Sequence, residues 1–235
     1  MKNVVRGLGA GLAALVAASC GGAKNAAVTD VVAAPEGEEK ASLLFLAGRD
    51  AAAASFSDLA AKLAEKGWRV RVVEGGEKEW TRALKQAFDP ERCTVAGGFA
   101  EAGTFAMDYG ADHDEDGVDG VILLGGLLTE GRNYMLEPFR AGVITAEHDG
   151  LVTSAQAQAQ SRDYPPRSTF LNIRGGNRAG FVPGRSFETD SEATMPVEEQ
   201  QRVTMELINS LMVDFCDWRI KREDKRAEDA AAAKE

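Results

Sequence analysis

The stretch TVAGGFAEAG, residues 94–103, determines how the rest of this chain is interpreted. Its apolar start is typical of a short buried strand, and the small residues after it are typical of an abrupt turn into a helix. Those small residues are Gly97, Gly98, Ala102 and Gly103. Small residues leave room for the chain to reverse direction sharply at this point. The stretch therefore predicts a sharp strand–turn–helix unit.

Strand and helix patterns alternate along the chain on both sides of this turn. The apolar runs that predict strands are 42–48, 68–74, 93–98, 120–126, 141–146 and 168–176. Helical spacing fills the intervals, and Pro196 lies in the first turn of the last predicted helix. This alternation predicts an α/β fold with a doubly wound, mainly parallel sheet of about six strands and helices on both faces.

The segment between the predicted strands at 120–126 and 141–146 is too short to hold an inserted domain. It holds only about fourteen residues. So short a connection leaves no room for a cap domain, and we expect an open site.

The charge balance limits the classes of partner. The chain has 27 Lys and Arg against 37 Asp and Glu, which gives a formal net charge of -10. Nucleic-acid binding needs a basic stripe to contact phosphates, and no such stripe is present. We therefore exclude nucleic acid as a partner.

The first twenty residues have the features of an export signal. Lys2 and Arg6 precede a short apolar segment, GLGAGLAALVAA at 7–18, and small residues lead to Cys20. This pattern resembles a bacterial lipoprotein signal, which implies removal of residues 1–19, acylation of Cys20 and anchoring to a membrane of the cell envelope. Ordinary secretion and an uncleaved hydrophobic tail remain alternatives.

The remaining chain divides into three parts. Residues 20–40 are small and polar and predict a flexible tether. Residues 41–217 form the predicted domain, and 218–235 form a charged helical tail. We interpret the tail as a solvated helix with opposite-charge pairs, and a partner-binding arm is the alternative. Cys93 and Cys216 could pair in an oxidising compartment, but two isolated cysteines predict buried free thiols.

Residues 42 to about 215 resemble the α/β-hydrolase fold, and within it the small single-domain, dienelactone-hydrolase-like esterases. The resemblance rests on the small residues around Ala100, on TAEHDGLVT at 145–153 and on RGGNRAGF at 174–181. It implies that Ala100 occupies the position of the nucleophile and Asp149 that of the acid. Arg178 stands where the family has the catalytic histidine.

Two of these three positions lack the required chemistry. A methyl group cannot attack a carbonyl, and a guanidinium cannot accept a proton at physiological pH. The only histidines are His113 and His148, and none follows Asp149, where the family order places the base. We therefore expect no catalytic residue, and we expect Arg178 to form an ion pair with Asp149.

Some features of a hydrolase site would survive these substitutions. The backbone N–H of Glu101, with another near Gly48–Arg49, would form a nest like an oxyanion hole. Glu101 acting as a base on water is the alternative source of activity. From loop positions we expect an open, shallow pocket, and its predicted lining consists of Arg49, Phe99, Glu101, Tyr134, Asp149, Arg178 and Phe181.

The acidic stretch DHDEDGVDG, residues 112–120, has the spacing of a calcium loop. Asp112, Asp114 and Asp116 would be ligands, and Val118 would offer a carbonyl. The twelfth position of such a loop falls on Leu123, so the bidentate Glu is missing. A weak calcium site and a plain acidic loop both remain open, and no other cofactor is expected.

These patterns favour an exported, lipid-anchored hydrolase-fold pseudoenzyme that acts as a binding or scaffold module. Its ligand or envelope partner is unknown. The alternative is a hydrolase of carboxylic esters or related acyl compounds with non-standard catalytic residues. A third possibility is a structural envelope subunit that docks through its acidic surface or C-terminal helix.

Overall fold

A computed structural model describes residues 15–18, 30–37, 39–89, 91–113 and 117–232. The strands are β1 (Leu15–Ala18), β2 (Asp30–Ala33), β3 (Ala41–Ala47), β4 (Trp68–Glu74), β5 (Thr94–Phe99), β6 (Gly120–Leu124), β7 (Arg140–Ala146) and β8 (Thr169–Ile173). The helices are α1 (Ser57–Glu65), α2 (Glu77–Ala87), α3 (Glu101–Asp112), α4 (Ser154–Ala159) and α5 (Val197–Ala232).

All eight strands join in one sheet with the order β1-β2-β4-β3-β5-β6-β7-β8. Strands β3 to β8 are parallel, whereas β1 and β2 pair antiparallel at one edge. The α/β class and the mainly parallel sheet are confirmed. Within the described residues no domain is inserted between β6 and β7, so the expected absence of a cap is also confirmed.

The prediction of about six strands missed the antiparallel edge. Strand β2 lies inside the segment predicted as a flexible tether, and β1 lies inside the predicted export signal. Val31 and Ala33 are buried, and the Asp30 carboxylate accepts a hydrogen bond from Arg71 of β4 at 2.6 Å. Four-residue strands are too short to give a clear period, so only pairing with β4 reveals β2.

The core has two layers because alternate residues of the buried strands face opposite sides of the sheet. Leu43 and Phe45 of β3 pack with α1 and α5, and the cluster on that side includes Phe56 and Phe215. On the other side, Leu44 and Leu46 pack with α2, α3 and α4. Burial on both faces explains why these strands have continuous apolar runs.

Helix α5 continues through the predicted boundary at 217/218 into the predicted charged tail, which is helical to Ala232. Arg219 at the junction is buried, and from Ile220 onward every described residue is exposed except the half-buried Arg222. Cys216 forms a disulfide with Cys93, so the prediction of free thiols is wrong. The cause is tertiary, because α5 crosses the start of β5 and brings the two Cα atoms to 5.5 Å. None of the helices described here has the length and apolar character needed to cross a membrane.

Candidate functional site

The turn between β5 and α3 is a strained elbow centred on Ala100. This residue has φ 55° and ψ -128°, a conformation that L-residues rarely adopt. Its N–H donates to the carbonyl of Leu124 on β6 at 2.9 Å, which holds the turn against the sheet. A methyl group on Gly103 would lie 2.6 Å from the carbonyl oxygen of Gly98, so both positions require small residues. The predicted strand–turn–helix unit is confirmed.

The Asp149 carboxylate lies beyond the end of β7 and is completely buried. Its Oδ1 accepts the N–H groups of Leu151 at 2.8 Å and Val152 at 2.9 Å. Its Oδ2 accepts from Nη1 of Arg178 at 3.2 Å. The expected ion pair between Asp149 and Arg178 is thus confirmed, and every oxygen of this buried carboxylate has a partner.

The Arg178 side chain fills the space beside the elbow. Its guanidinium carbon lies 4.7 Å from the ring centre of Phe99 and 5.4 Å from that of Phe187, in cation–π contact with both. Nη1 also donates to the carbonyl of Gly125 at 3.0 Å. Nε is buried without a hydrogen-bond partner among the described residues. Phe187 was missed from the sequence because it lies in a loop without a periodic pattern.

Glu101 covers the place where an oxyanion hole was expected. A methyl group built on Gly48 would lie 3.0 Å from Oε1 of Glu101, so the carboxylate lies against the loop after β3. The first N–H groups of α3 have no acceptor within the helix, and they favour a negative charge here. The Glu101 side chain itself supplies that charge.

The loop after β3 is held by a residue that the sequence did not indicate. Arg185 donates to the carbonyl of Asp50 at 3.0 Å and to that of Arg49 at 3.3 Å. The side chain of Arg49 in the same loop is exposed. No spacing rule connects Arg185 with residues 135 positions earlier, so only the folded chain identifies it.

Two open clefts adjoin the elbow at the carboxyl ends of β3 and β4, with Arg49 and Gly75 in the lining of both. One has a volume of about 460 Å³ and reaches Glu74 and Arg185. The other has a volume of about 650 Å³ and reaches Lys78, Trp80 and Glu101. Mixed charges line both clefts, as is typical of a solvent-open trench.

The predicted pocket lining is therefore only partly correct. Arg49 and Glu101 line the clefts. Four other residues of the predicted lining are buried, namely Phe99, Asp149, Arg178 and Phe181. Tyr134 lies elsewhere, because the loop between β6 and β7 folds it against α3, where its hydroxyl donates to Asp108. Burial, with a smaller contribution from that hydrogen bond, raises the pKa of Tyr134.

The acidic loop after α3 is described only at its ends. Both oxygens of Asp112 accept from Arg132, at 2.5 and 3.1 Å, and this bonding lowers the pKa of Asp112. Val118 is buried, while Asp114 and Asp116 lie outside the described residues. In the described part of the chain no three potential ligands are clustered for a metal. The calcium site stays a prediction.

Comparison with known proteins places the chain in a family. The model of the α/β hydrolase family matches residues 42–202, and the chain belongs to this family. No curated protein matches the chain in sequence.

Solved structures share the fold at low identity. A predicted CIB-like hydrolase from Thermoplasma acidophilum has a TM-score of 0.62 at 13% identity, covering 84% of this chain and 99% of its own. A putative dienelactone hydrolase from Klebsiella pneumoniae has 0.56 at 12%, covering 85% and 99%. Esterase 2 of Thermogutta terrifontis has 0.54 at 13%, covering 85% and 92%. At these identities the likeness shows the fold.

Proposed function

We propose that this chain is an exported, lipid-anchored member of the α/β hydrolase family that acts as a binding or scaffold module without triad catalysis. One observation carries the proposal: the elbow presents the methyl group of Ala100, and Arg178 is bonded to the carboxylate of Asp149. Nucleophile and base are both absent from the places where the family's chemistry needs them.

The packing of Arg178 also supports the proposal, because the side chain occupies the space in which a catalytic base would act. Its guanidinium is enclosed by Phe99 and Phe187, and it occupies the space beside the elbow. A proton-accepting imidazole would need a hydroxyl or a water at that point. The binding surface that we propose is instead the open trench around Arg49, where side chains of both signs reach solvent.

The location of the protein belongs to the same proposal. The residues before Cys20 have the pattern of a lipoprotein signal, and Cys20 lies outside the described residues. The disulfide between Cys93 and Cys216 supports export, because such bonds persist in oxidising compartments.

A second candidate is a hydrolase of carboxylic esters with non-standard catalytic residues. The comparisons favour it more directly than they favour a pseudoenzyme, since the family and the similar structures carry hydrolase and esterase names. Among the residues that the structure describes, only Glu101 combines a carboxylate, exposure and a position at the elbow. In this candidate Glu101 would act as a base on water.

The two candidates are separated by hydrolysis of a panel of short-chain esters. The full chain is assayed beside Asp149→Asn and Glu101→Gln variants, with heat-denatured protein as the background. We expect no turnover above background in any of the three. Turnover by the wild type that the Glu101→Gln variant lacks would contradict the proposal and establish the hydrolase.

A further inference from the structure

The C-terminal part of α5 extends beyond the domain. The last buried residue of the helix is Arg219, and α5 continues to Ala232. From Ile220 to Ala232 every residue is exposed except the half-buried Arg222. At 1.5 Å per residue this projecting arm is about 20 Å long. Because the arm continues the anchored part of α5, its helix needs no nucleus of its own, and its exposed surface can pack against a partner.

One side of the arm is apolar. Ile220, Ala227 and Ala231 are separated by seven and four residues, which places them in one stripe along the helix. Ile220 is 57% exposed, a large fraction for a branched aliphatic side chain. The two alanines leave a shallow depression about two to three turns further along the same stripe.

Charged residues border the stripe on both sides in a fixed order. Helical geometry places one group on the first side, and it consists of Lys221, Asp224, Lys225 and Glu228. The second side carries Arg226 and Glu223, and Glu223 also accepts from Arg219 of the same helix at 2.8 Å. On each side the signs reverse about a point midway between residues 224 and 225. Two copies of such a helix have complementary charges when they pack antiparallel about a twofold axis.

We propose that this arm pairs with the same arm of a second copy of the chain, as an antiparallel two-helix contact centred between residues 224 and 225. In this register Ile220 lies level with the interval between Ala227 and Ala231 of the partner subunit. A large side chain then enters the depression left by two small ones, and the twofold axis repeats the contact.

The same register pairs the borders. Lys221 lies opposite Glu228 of the partner subunit, and Asp224 lies opposite Lys225 of the partner subunit. On the other side, Glu223 lies opposite Arg226 of the partner subunit. A parallel in-register pairing would instead set the first border of one arm against the second border of its copy, so these opposite-charge pairs would not form. The charge order thus selects the antiparallel arrangement.

The contact is small, so the dimer is weak and its population depends on concentration. The arm contributes about three turns to each side, which is below the size of a standard protein interface. A lipid anchor would confine the molecules to a surface and raise the effective concentration of one arm near another.

The test exchanges charges on the first border only, where all four side chains are exposed. The positive variant carries Asp224→Lys and Glu228→Lys, and the negative variant carries Lys221→Glu and Lys225→Glu. A swapped variant combines all four changes and keeps the net charge of the wild type. Lys62→Glu with Lys85→Glu, at exposed sites on α1 and α2, controls for net charge.

Sedimentation of the full chain over the micromolar range measures the dimer dissociation constant. We expect the positive and negative variants to dimerise at least about tenfold more weakly than the wild type. The swapped variant and the Lys62/Lys85 control keep the wild-type constant. An equimolar mixture of the positive and negative variants recovers association, because all four border pairs are again of opposite sign.

Two results would overturn the inference. The first is a wild-type chain that stays monomeric throughout the range. The second is a positive–negative mixture that associates no better than either variant alone, since a change in helix content within each chain cannot explain recovery on mixing. Both outcomes are independent of ester hydrolysis at the elbow.

Discussion

The elbow presents the methyl group of Ala100, and the guanidinium of Arg178 is buried beside it. The elbow keeps its positive φ, and the small residues that allow it are in place. A strained conformation of this kind costs about 1–3 kcal/mol and persists because the sheet and α3 hold the chain on both sides. At residue scale, the elbow therefore combines a strained backbone with a methyl group at its tip and a guanidinium beside it.

Replacing Arg178 tests how far the ion pair stabilises the fold. We expect Arg178→Ala to lower the free energy of unfolding by about 3 kcal/mol, because the buried carboxylate of Asp149 loses its cationic partner. Urea denaturation measures the change. Arg174→Ala, at an exposed position four residues earlier, is the matched control and should stay within about 0.5 kcal/mol of the wild type.

An Arg178→Ala variant as stable as the wild type would mean that the pair does not stabilise the protein. A double variant, Arg178→Met with Asp149→Asn, removes both charges while keeping much of the volume. It should be less destabilised than Arg178→Ala, since no uncompensated charge is left buried.

Helix α5 is attached to the sheet along its middle. Asp119, at the start of β6, accepts from Arg219 at 3.3 Å and from Arg222 at 2.9 Å. Arg222 also donates to the carbonyl of Pro138 at 2.6 Å and stacks on Trp218. With the disulfide at Cys216, these contacts fix the last buried turn of α5 and set the direction of the projecting arm.

The disulfide should be a major contributor to this attachment. It closes a loop of 123 residues between Cys93 and Cys216. We expect the double variant Cys93→Ala, Cys216→Ala to lose about 3–5 kcal/mol of unfolding free energy, because the unfolded chain gains the entropy that the cross-link removed.

Urea denaturation of the double variant, beside wild type with and without reductant, measures the effect. The reduced wild type should approach the double variant. If reduction leaves the unfolding midpoint of the wild type unchanged, the bond is absent from the purified protein and the argument for an oxidising compartment fails.

At the scale of the whole molecule, the proposed cleavage of the N-terminal signal would also change the edge of the sheet. Removal of residues 1–19 would take away β1 and leave β2 as the edge of the sheet. Strand β2 has the features of a tolerated edge, since it is four residues long and carries the Asp30–Arg71 ion pair. Seven strands would then form the exported domain.

Lipid attachment is tested by labelling cells with a radioactive fatty acid. We expect the wild type to carry the label and to begin at Cys20, because its N-terminus has the pattern of a lipoprotein signal. A Cys20→Ser variant should carry none, whereas Cys93→Ala should remain labelled. An exported wild-type chain that retains residues 1–19, or carries no label, would contradict the lipid anchor.

Much of the fold could be predicted because its strands have clear patterns: β3 has a continuous apolar run and is buried on both faces, whereas β4 alternates buried apolar residues with Arg69 and Arg71. The runs at 42–48 and 68–74 correspond to β3 and β4, and the small residues at 94–103 form the elbow. Strand β2 and the six-residue α4 have too few residues to establish a period, so they could not be predicted. The same limit hid the antiparallel edge of the sheet.

The sequence by itself determined that Ala100 cannot act as a nucleophile and that Arg178 cannot act as a base, because residue type alone excludes both roles. It also determined the family frame and the expected pairing of Arg178 with Asp149. Only the tertiary structure decided that Cys93 meets Cys216, that Phe187 covers the guanidinium and that Arg185 holds the loop after β3. These contacts join segments that are far apart in the chain. The spacing of residues within a segment shows its own helix or strand, but it does not show which distant side chains will pack against it.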